Sequence, residues 1–486
     1  MSAFQDLVSA MAQGRSWPGM GDSDRVRQLL EATYSERYHG AAHFVGRYQT
    51  RVNLQKKEDS ASYAGWITSE NPTSGPYQGT SFVWMPGGGG SVAVLVIGTD
   101  GFGADTHVLG RPGHARRLHA LNRLHHGKLW VKPDLLDLNS RVPEAAHVGW
   151  PEIPAALNSY GHVIYAAIPV TSEADAGAVA DLLDLFFFEH QTPLTGAAAK
   201  RWAARLGEIT GAIFPNLDAA EVLRLLEERR YVVLEGPPGT GKTRLAYEIA
   251  RRIGSSTKLQ FHPARTYEDF VVGLFPRPVV GGLAFEVRAG DLLRANAAAK
   301  DAPHLLLLDE INRADLSRVL GEAIVLFEPG EDREVELPHD PPGYGRTLRL
   351  SPRLMVLGTR NTADRTIARM DIAIRRRFAF LEVWPDRRPV DEQGVELARE
   401  CFDDTVQTFA EHADAETLRL IPGQAYYLDP HPAGPAKGRA GRVARRLRYE
   451  LVPLLRDYLS ERLGGSAAEE IAGLADRVES RLLRLE

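Results

Sequence analysis

One cysteine, Cys401, occurs in 486 residues. A single thiol excludes an intrachain disulfide and any cysteine-rich zinc site, and it fits a reducing compartment. No stretch approaches the roughly 20 apolar residues that span a bilayer, and the first residues carry no apolar core of signal-peptide length. The longest apolar runs, 162–170 and 182–188, have the length of a core strand and a core helix. A cytoplasmic chain with no membrane partner is therefore expected. Neither sign of charge prevails: 58 basic against 63 acidic side chains leave a net charge of −5, so any contact with nucleic acid needs a local basic patch. No repeat with a period of about 20–50 residues is visible, which argues against a solenoid or propeller.

What is present is ordinary globular usage, 44% apolar and 25% charged residues, over a length suited to about two to four domains. Residues 1–190 read as an α+β domain. A helix is expected from Asp22–Asp24 to Arg37, with strands at 43–54 and 63–68. The glycines 87–90 join SFVWM to SVAVLVIGT as a hairpin, and the apolar face of 174–189 supplies a covering helix. Residues 191–216, broken by Thr, Pro and Gly around a short helix, read as a linker. From 217 to 385 the pattern alternates strand and helix, with strands YVVLE (231–235), TKLQF (257–261), HLLLLD (304–309), RLMVLGT (353–359) and FAFLEV (378–383). Five apolar strands alternating with helices predict an α/β domain on a five-stranded parallel sheet. Residues 386–486 read as a smaller helical lid, whose clearest helix, 443–459, persists despite Pro453.

Between the first of those strands and its helix lies Gly236-Pro237-Pro238-Gly239-Thr240-Gly241-Lys242-Thr243, a full G-x-x-x-x-G-K-[ST] motif in its proper context. Such a loop wraps its N–H groups around phosphates, while the Lys242 ammonium reaches the β- and γ-phosphates and the Thr243 hydroxyl serves magnesium. Strand 304–309 ends in Asp309 and Glu310. Adjacent acids there cost several kcal/mol unless compensated, and they suit a metal-orienting carboxylate followed by a water-activating base. Strand 353–359 delivers Asn361 to the same edge, where an amide can bond the γ-phosphate and the attacking water. Arg375, Arg376 and Arg377 precede the last strand, where a guanidinium could reach a neighbouring subunit's nucleotide or simply form a solvated turn. The run Asn312-Arg313-Ala314-Asp315 mimics a guanine-reading motif, but it follows the acids directly and reads better as a helix start with Asp315 near the N-cap.

GPPGTGKT, QFHPARTYEDF (260–270), LLDEINRADLSRVLGE (307–322) and RNTADRTIARMDIAIRRRF (360–378) together resemble the McrB-like AAA+ NTPases, motors of modification-dependent restriction systems. The resemblance covers about 217–385 in detail. IPGQAYYL (421–428) with RLRYELVPLLRDYL (446–459) is similar to the family's C-terminal part. It implies an AAA+ P-loop NTPase with a C-terminal lid, magnesium as cofactor, ATP or GTP as substrate, and a hexameric ring in which Arg375–Arg377 reach the adjacent site. It also implies a catalytic role for Asn361 and an interface or water-positioning role for Asp364 and Arg365. The family has methionine where this chain has Arg360. A specificity module ahead of the ring and a separate McrC-like nuclease are further implications. No nuclease motif stands out here beyond the fragment Pro133-Asp134, so cleavage is expected on another chain.

Segment 111–132 carries Arg111, Arg116, Arg117, Arg123, Lys128 and Lys132 with no acid, near Trp130, Trp66, Phe82 and Trp84. It reads as a DNA-binding surface with stacking aromatics. It reads equally as an amphipathic helix packed by Leu118, Leu121 and Leu124. His114, His119, His125 and His126 lack an obvious carboxylate partner for a metal. Against the DNA motor stand two other readings: a MoxR-like chaperone that remodels protein complexes, and an NTP-gated scaffold. The pair Asp309 and Glu310 argues against the scaffold.

Overall fold

The computed structural model describes all residues except 1, 15–19, 39–47, 55–60, 73–76, 329–332, 364–371, 433, 462–465 and 485–486. The chain divides into two compact units, Met1–Phe214 with Ala410–His412, and Pro215–Phe409 with Ala413–Glu486. Among the described residues no helix is long and apolar enough to cross a membrane.

The first unit is built on a six-stranded antiparallel sheet. Its strands are β1 (Tyr48–Asn53), β2 (Tyr63–Thr68), β3 (Thr80–Gly87), β4 (Gly90–Ile97), β5 (Trp130–Val131) and β6 (Ile164–Val170), in the order β1-β2-β3-β4-β6-β5. The glycine run makes the expected hairpin, with Gly87 paired to Gly90. One face of the sheet packs Trp66, Phe82, Trp84 and Leu95 beneath helices that include Ala176–Glu189. The other face packs Val83, Met85, Val92 and Val94 against Ile153 and Ala156. Burial on both faces explains why these strands read as continuous apolar runs rather than as alternation. Helix Ala176–Glu189 covers the sheet as expected, and its Phe187 meets Tyr34, Tyr38, Tyr48 and Trp66 at ring-centroid distances of 4.3–5.7 Å. The stretch 191–216 is mostly not a linker. Its residues Gly196–Ile213 form an 18-residue helix that buries Trp202 and Ile209 in the first unit's core. The flanking Thr, Pro and Gly breaks hid an apolar stripe that this core needs.

In the second unit a five-stranded parallel sheet has the order β15-β7-β14-β11-β8. These strands are β7 (Tyr231–Gly236), β8 (Ser256–Gln260), β11 (His304–Asp309), β14 (Leu354–Asn361) and β15 (Ala379–Glu382). Two hairpins interrupt the alternation, β9 (Val272–Val279) with β10 (Gly282–Ala289), and β12 (Glu334–Glu336) with β13 (Thr347–Arg349). Side chains leave the sheet with period two. Val232, Leu234, Leu305 and Leu307 pack under Val222, Leu226 and Ile249, and Tyr231, Val233, Leu306 and Leu308 pack under Phe261, Val319 and Phe327. The order sets β7 between β15 and β14, so the loop after β7 opens at the sheet's C-terminal edge, where ligands bind in open α/β sheets. C-terminal residues are helical. Pro453 is tolerated because a wide turn at Leu447–Leu451 precedes helix Val452–Glu461, where its missing N–H would otherwise break the ladder.

Candidate nucleotide-binding site

Strand β7 runs without interruption into the glycine-rich loop, and helix Lys242–Ile253 starts at its end with Gly241 as N-cap. Gly239 and Gly241 hold φ of +77° and +85°, the left-handed conformation that glycine adopts at least cost. Gly236 has no room for a Cβ, which would lie 2.3 Å from the Val383 carbonyl oxygen. The loop therefore curls with its N–H groups and the helix N-terminus facing one concavity, an anion-binding arrangement. Lys242 Nζ donates to the carbonyl oxygens of Gly236 at 2.9 Å and Pro237 at 2.6 Å, inside the loop.

The ends of two strands, β11 and β14, meet this loop. Thr243 Oγ1 donates to Asp309 Oδ1 at 3.0 Å. This places a hydroxyl and a carboxylate oxygen together, the oxygen donor set that suits magnesium. Thr359, on β14, was not foreseen as a site residue: its hydroxyl donates to Asp309 Oδ1 at 2.5 Å and accepts from the Glu310 backbone N–H at 3.0 Å. It fixes both acids from the neighbouring strand. Glu310 itself sits at φ +55°, and its carboxylate is ion-paired with Arg313. Asn361 lies opposite Gly236 in the parallel ladder, at the loop's first residue. Asn312 donates to the Asn361 carbonyl at 3.3 Å, and Asp315 caps helix Leu316–Leu320 by accepting from Arg318 N, so the guanine-motif mimic is structural. A cavity of about 330 Å3 opens beside the loop, lined by Asn216, Asp218, Thr240, Arg244, Trp384 and Gln424 among others.

The structure separates the three arginines. Arg377 is buried, paired with Glu328 at 3.1 Å and bonded to the Ala373 carbonyl at 2.7 Å, so it is not free to reach outward. Arg375 is about half exposed, 3.6 Å from Glu235 and over the Phe380 ring, and Arg376 is exposed at 3.4 Å from Glu328. Asp364 and Arg365 lie outside the described residues.

The basic segment 111–132 is not an open cationic surface. It folds as helix Pro112–Leu124 with Leu118 and Leu121 in the core. Arg117 is buried and ion-paired with Glu189, which also lies 3.7 Å from Arg111. Arg123 donates to the Ala212 carbonyl, Lys128 pairs with Asp175 at 3.1 Å, and buried Lys132 donates to the carbonyls of Ser140 and His162. Trp66, Phe82 and Trp84 are fully buried and cannot stack on a base. Counting cations along the sequence missed their acids because those stand on other elements. The histidines do meet carboxylates, His125 at 2.7 Å from Asp181 and His114 at 3.9 Å from Glu189. Even so, no group of three His, Cys, Asp or Glu among the described residues is placed to hold a metal ion.

A family model described as AAA domain (dynein-related subfamily) matches residues 231–378. The Type IV methyl-directed restriction enzyme EcoKMcrB subunit of Escherichia coli (strain K12) is 34% identical over 183 residues, which are 35% of this chain and 39% of that protein. The ATPase family gene 2 protein homolog B of Bos taurus is 31% identical over 179 residues, 35% of this chain and 21% of that protein. The Holliday junction branch migration complex subunit RuvB of Synechococcus sp. (strain CC9902) is 31% identical over 157 residues, 31% of this chain and 35% of that protein. The chain spans less than two fifths of the length of these relatives. With the loop, the two acids and the sheet order agreeing, the second unit carries an AAA+ domain with the fold of a P-loop ATPase, McrB-like over about a third of the chain.

Proposed function

We propose that this chain is the motor subunit of an McrB-like restriction system, hydrolysing ATP or GTP to move DNA for a separate McrC-like nuclease in antiviral defence in the cytoplasm. The observation that carries the reading is the meeting of Lys242, Thr243, Asp309, Glu310 and Asn361 at one edge of the sheet, in a domain 34% identical to the EcoKMcrB subunit. In this reading the loop residues Gly236–Thr243 bind the phosphates. Thr243 and Asp309 would hold magnesium, which when bound neutralises phosphate charge. Glu310, released from Arg313, takes the proton of the attacking water, and Asn361 orients that water against the γ-phosphate. Asp364 and Arg365 take the interface or water-positioning role that the resemblance implies. The chain assembles as a hexameric ring, with Arg375 or Arg376 contributed to the neighbour's site, because these two retain exposed guanidinium groups. The first unit selects the target through a surface other than 111–132.

An NTPase assay with ATP and GTP, with and without duplex DNA and an McrC-like partner, tests this reading. Hydrolysis stimulated by both additions, and absent in Lys242→Ala, is expected. Turnover indifferent to DNA and partner would instead favour a remodeller of protein complexes.

A further inference from the structure

Three consecutive carbonyls of the P-loop are taken by one segment of the C-terminal helical region. Gly423 N donates to Pro238 O at 2.9 Å and Ala425 N to Gly239 O at 3.0 Å. Between them, the Gln424 side-chain amide donates from Nε2 to Thr240 O at 2.8 Å. Each peptide unit is planar, so its carbonyl and the next N–H point in opposite directions. Anchoring the carbonyls of 238, 239 and 240 on the outside therefore aims the N–H groups of Gly239, Thr240 and Gly241 into the concavity. The fit is close. A Cβ on Gly423 would lie 2.2 Å from Gly239 C and 2.3 Å from Thr240 N, and one on Gly239 would lie 2.9 Å from the Tyr426 ring. Gln424 is buried, and its Oε1 accepts from the backbone N–H of Asp386 at 3.1 Å, just beyond strand β15. One side chain thus ties the loop after β7 to the point where the chain leaves the sheet.

We propose that Gln424 is a positioning residue for nucleotide binding: it holds the P-loop carbonyls outward, and through Asp386 it couples phosphate occupancy to the placement of the C-terminal helices. The inference rests on the reading of this loop as the nucleotide site. Hydrogen bonds polarise one another along a chain, so phosphate accepting from the inner N–H groups strengthens the outer bonds to Gly423, Gln424 and Ala425. The same segment therefore reports occupancy and helps to set affinity.

The test uses the full-length chain with magnesium and fluorescent ATP and GTP analogues. Gln424→Met keeps the side-chain volume and removes both amide bonds. The expected result is a Kd raised about three- to tenfold, the range for one net hydrogen bond. Tyr427→Phe is the control. Its hydroxyl donates to Thr405 at 2.7 Å, away from the P-loop, so it should lower Tm without changing Kd. Hydrogen exchange on the wild type adds a reading that needs no variant: the amides of Gly423 and Ala425 should gain protection when nucleotide binds. Wild-type affinity in Gln424→Met, or protection unchanged by nucleotide, overturns the inference while leaving the nucleotide site in place. No binding by the wild type removes the site reading and the inference with it.

Discussion

Arg360 stands opposite Glu235 on adjacent parallel strands, guanidinium to carboxylate at 3.2 Å, one residue before Asn361 and Gly236 respectively. Burial pushes the Arg360 guanidinium down from its ordinary pKa, and Glu235 pulls it part of the way back. The residue that departs from the family's methionine therefore has a local cause, an acid on the next strand. Glu235→Gln should destabilise the second unit by about 1–3 kcal/mol, the range for a hydrogen bond to a charged group. Arg360→Met alone should do the same, and the double variant should recover part of the loss. Denaturant unfolding of all four proteins gives the coupling energy, and additive losses would mean that the pair does not act as a pair.

Glu310→Gln keeps size and hydrogen bonding and removes the base. Nucleotide should still bind, while turnover falls by roughly 10²–10⁴-fold. Steady-state hydrolysis beside analogue binding separates the two effects. Turnover near that of the wild type would take Glu310 out of the mechanism.

The five parallel strands and the phosphate loop were legible because each is written contiguously: a motif of eight residues between a buried strand and a helix, and strands apolar enough to be covered on two faces. Thr359 and Gln424 were not legible. Each acts through two hydrogen bonds to residues far away in sequence, and nothing in a lone Thr or Gln marks those bonds. The β9–β10 hairpin was missed although Leu283, Phe285 and Val287 alternate, because it stands outside the strand–helix rhythm of the parallel sheet. The basic segment was half read. Its helix and Leu stripe were foreseen, but its cations could not be discounted until Glu189 and Asp175 stood beside them.

Arg117→Ala should damage the first unit rather than any DNA surface, because it leaves the buried Glu189 carboxylate short of its main cation. A loss of about 3–5 kcal/mol is expected for breaking a buried pair. Arg123→Ala gives up one exposed bond to the Ala212 carbonyl and should cost about 0.5 kcal/mol or less. Tryptophan fluorescence melts suit the comparison, since six of the seven tryptophans precede residue 215. Equal melts for the two variants would contradict the burial argument.

Acid should act on the same residue. Burial pushes the Glu189 carboxyl up, but His114 and Arg117 pull harder, and the net position is about 2, against an ordinary 4.5. A carboxyl with a depressed folded pKa binds its proton first in the unfolded chain. Its stabilisation is therefore full above about 4.5 and is lost as pH falls through about 2. Glu189→Gln should lower stability at pH 7 and flatten the acid limb of the first unit's melting curve across that window. The same fluorescence melts, taken as a pH series, check the slope.

The backbone at Glu310 has an implication for how this sequence tolerates change. A non-glycine residue at φ +55° gives up about 1–2 kcal/mol, and it does so at the position proposed to accept the water's proton. Glycine there would relax the turn and raise the melting temperature while ending turnover, and asparagine would do so in part. Variants ranked by heat resistance alone would thus drift toward an inert, sturdier protein, and only a screen that counts phosphate release would keep the glutamate.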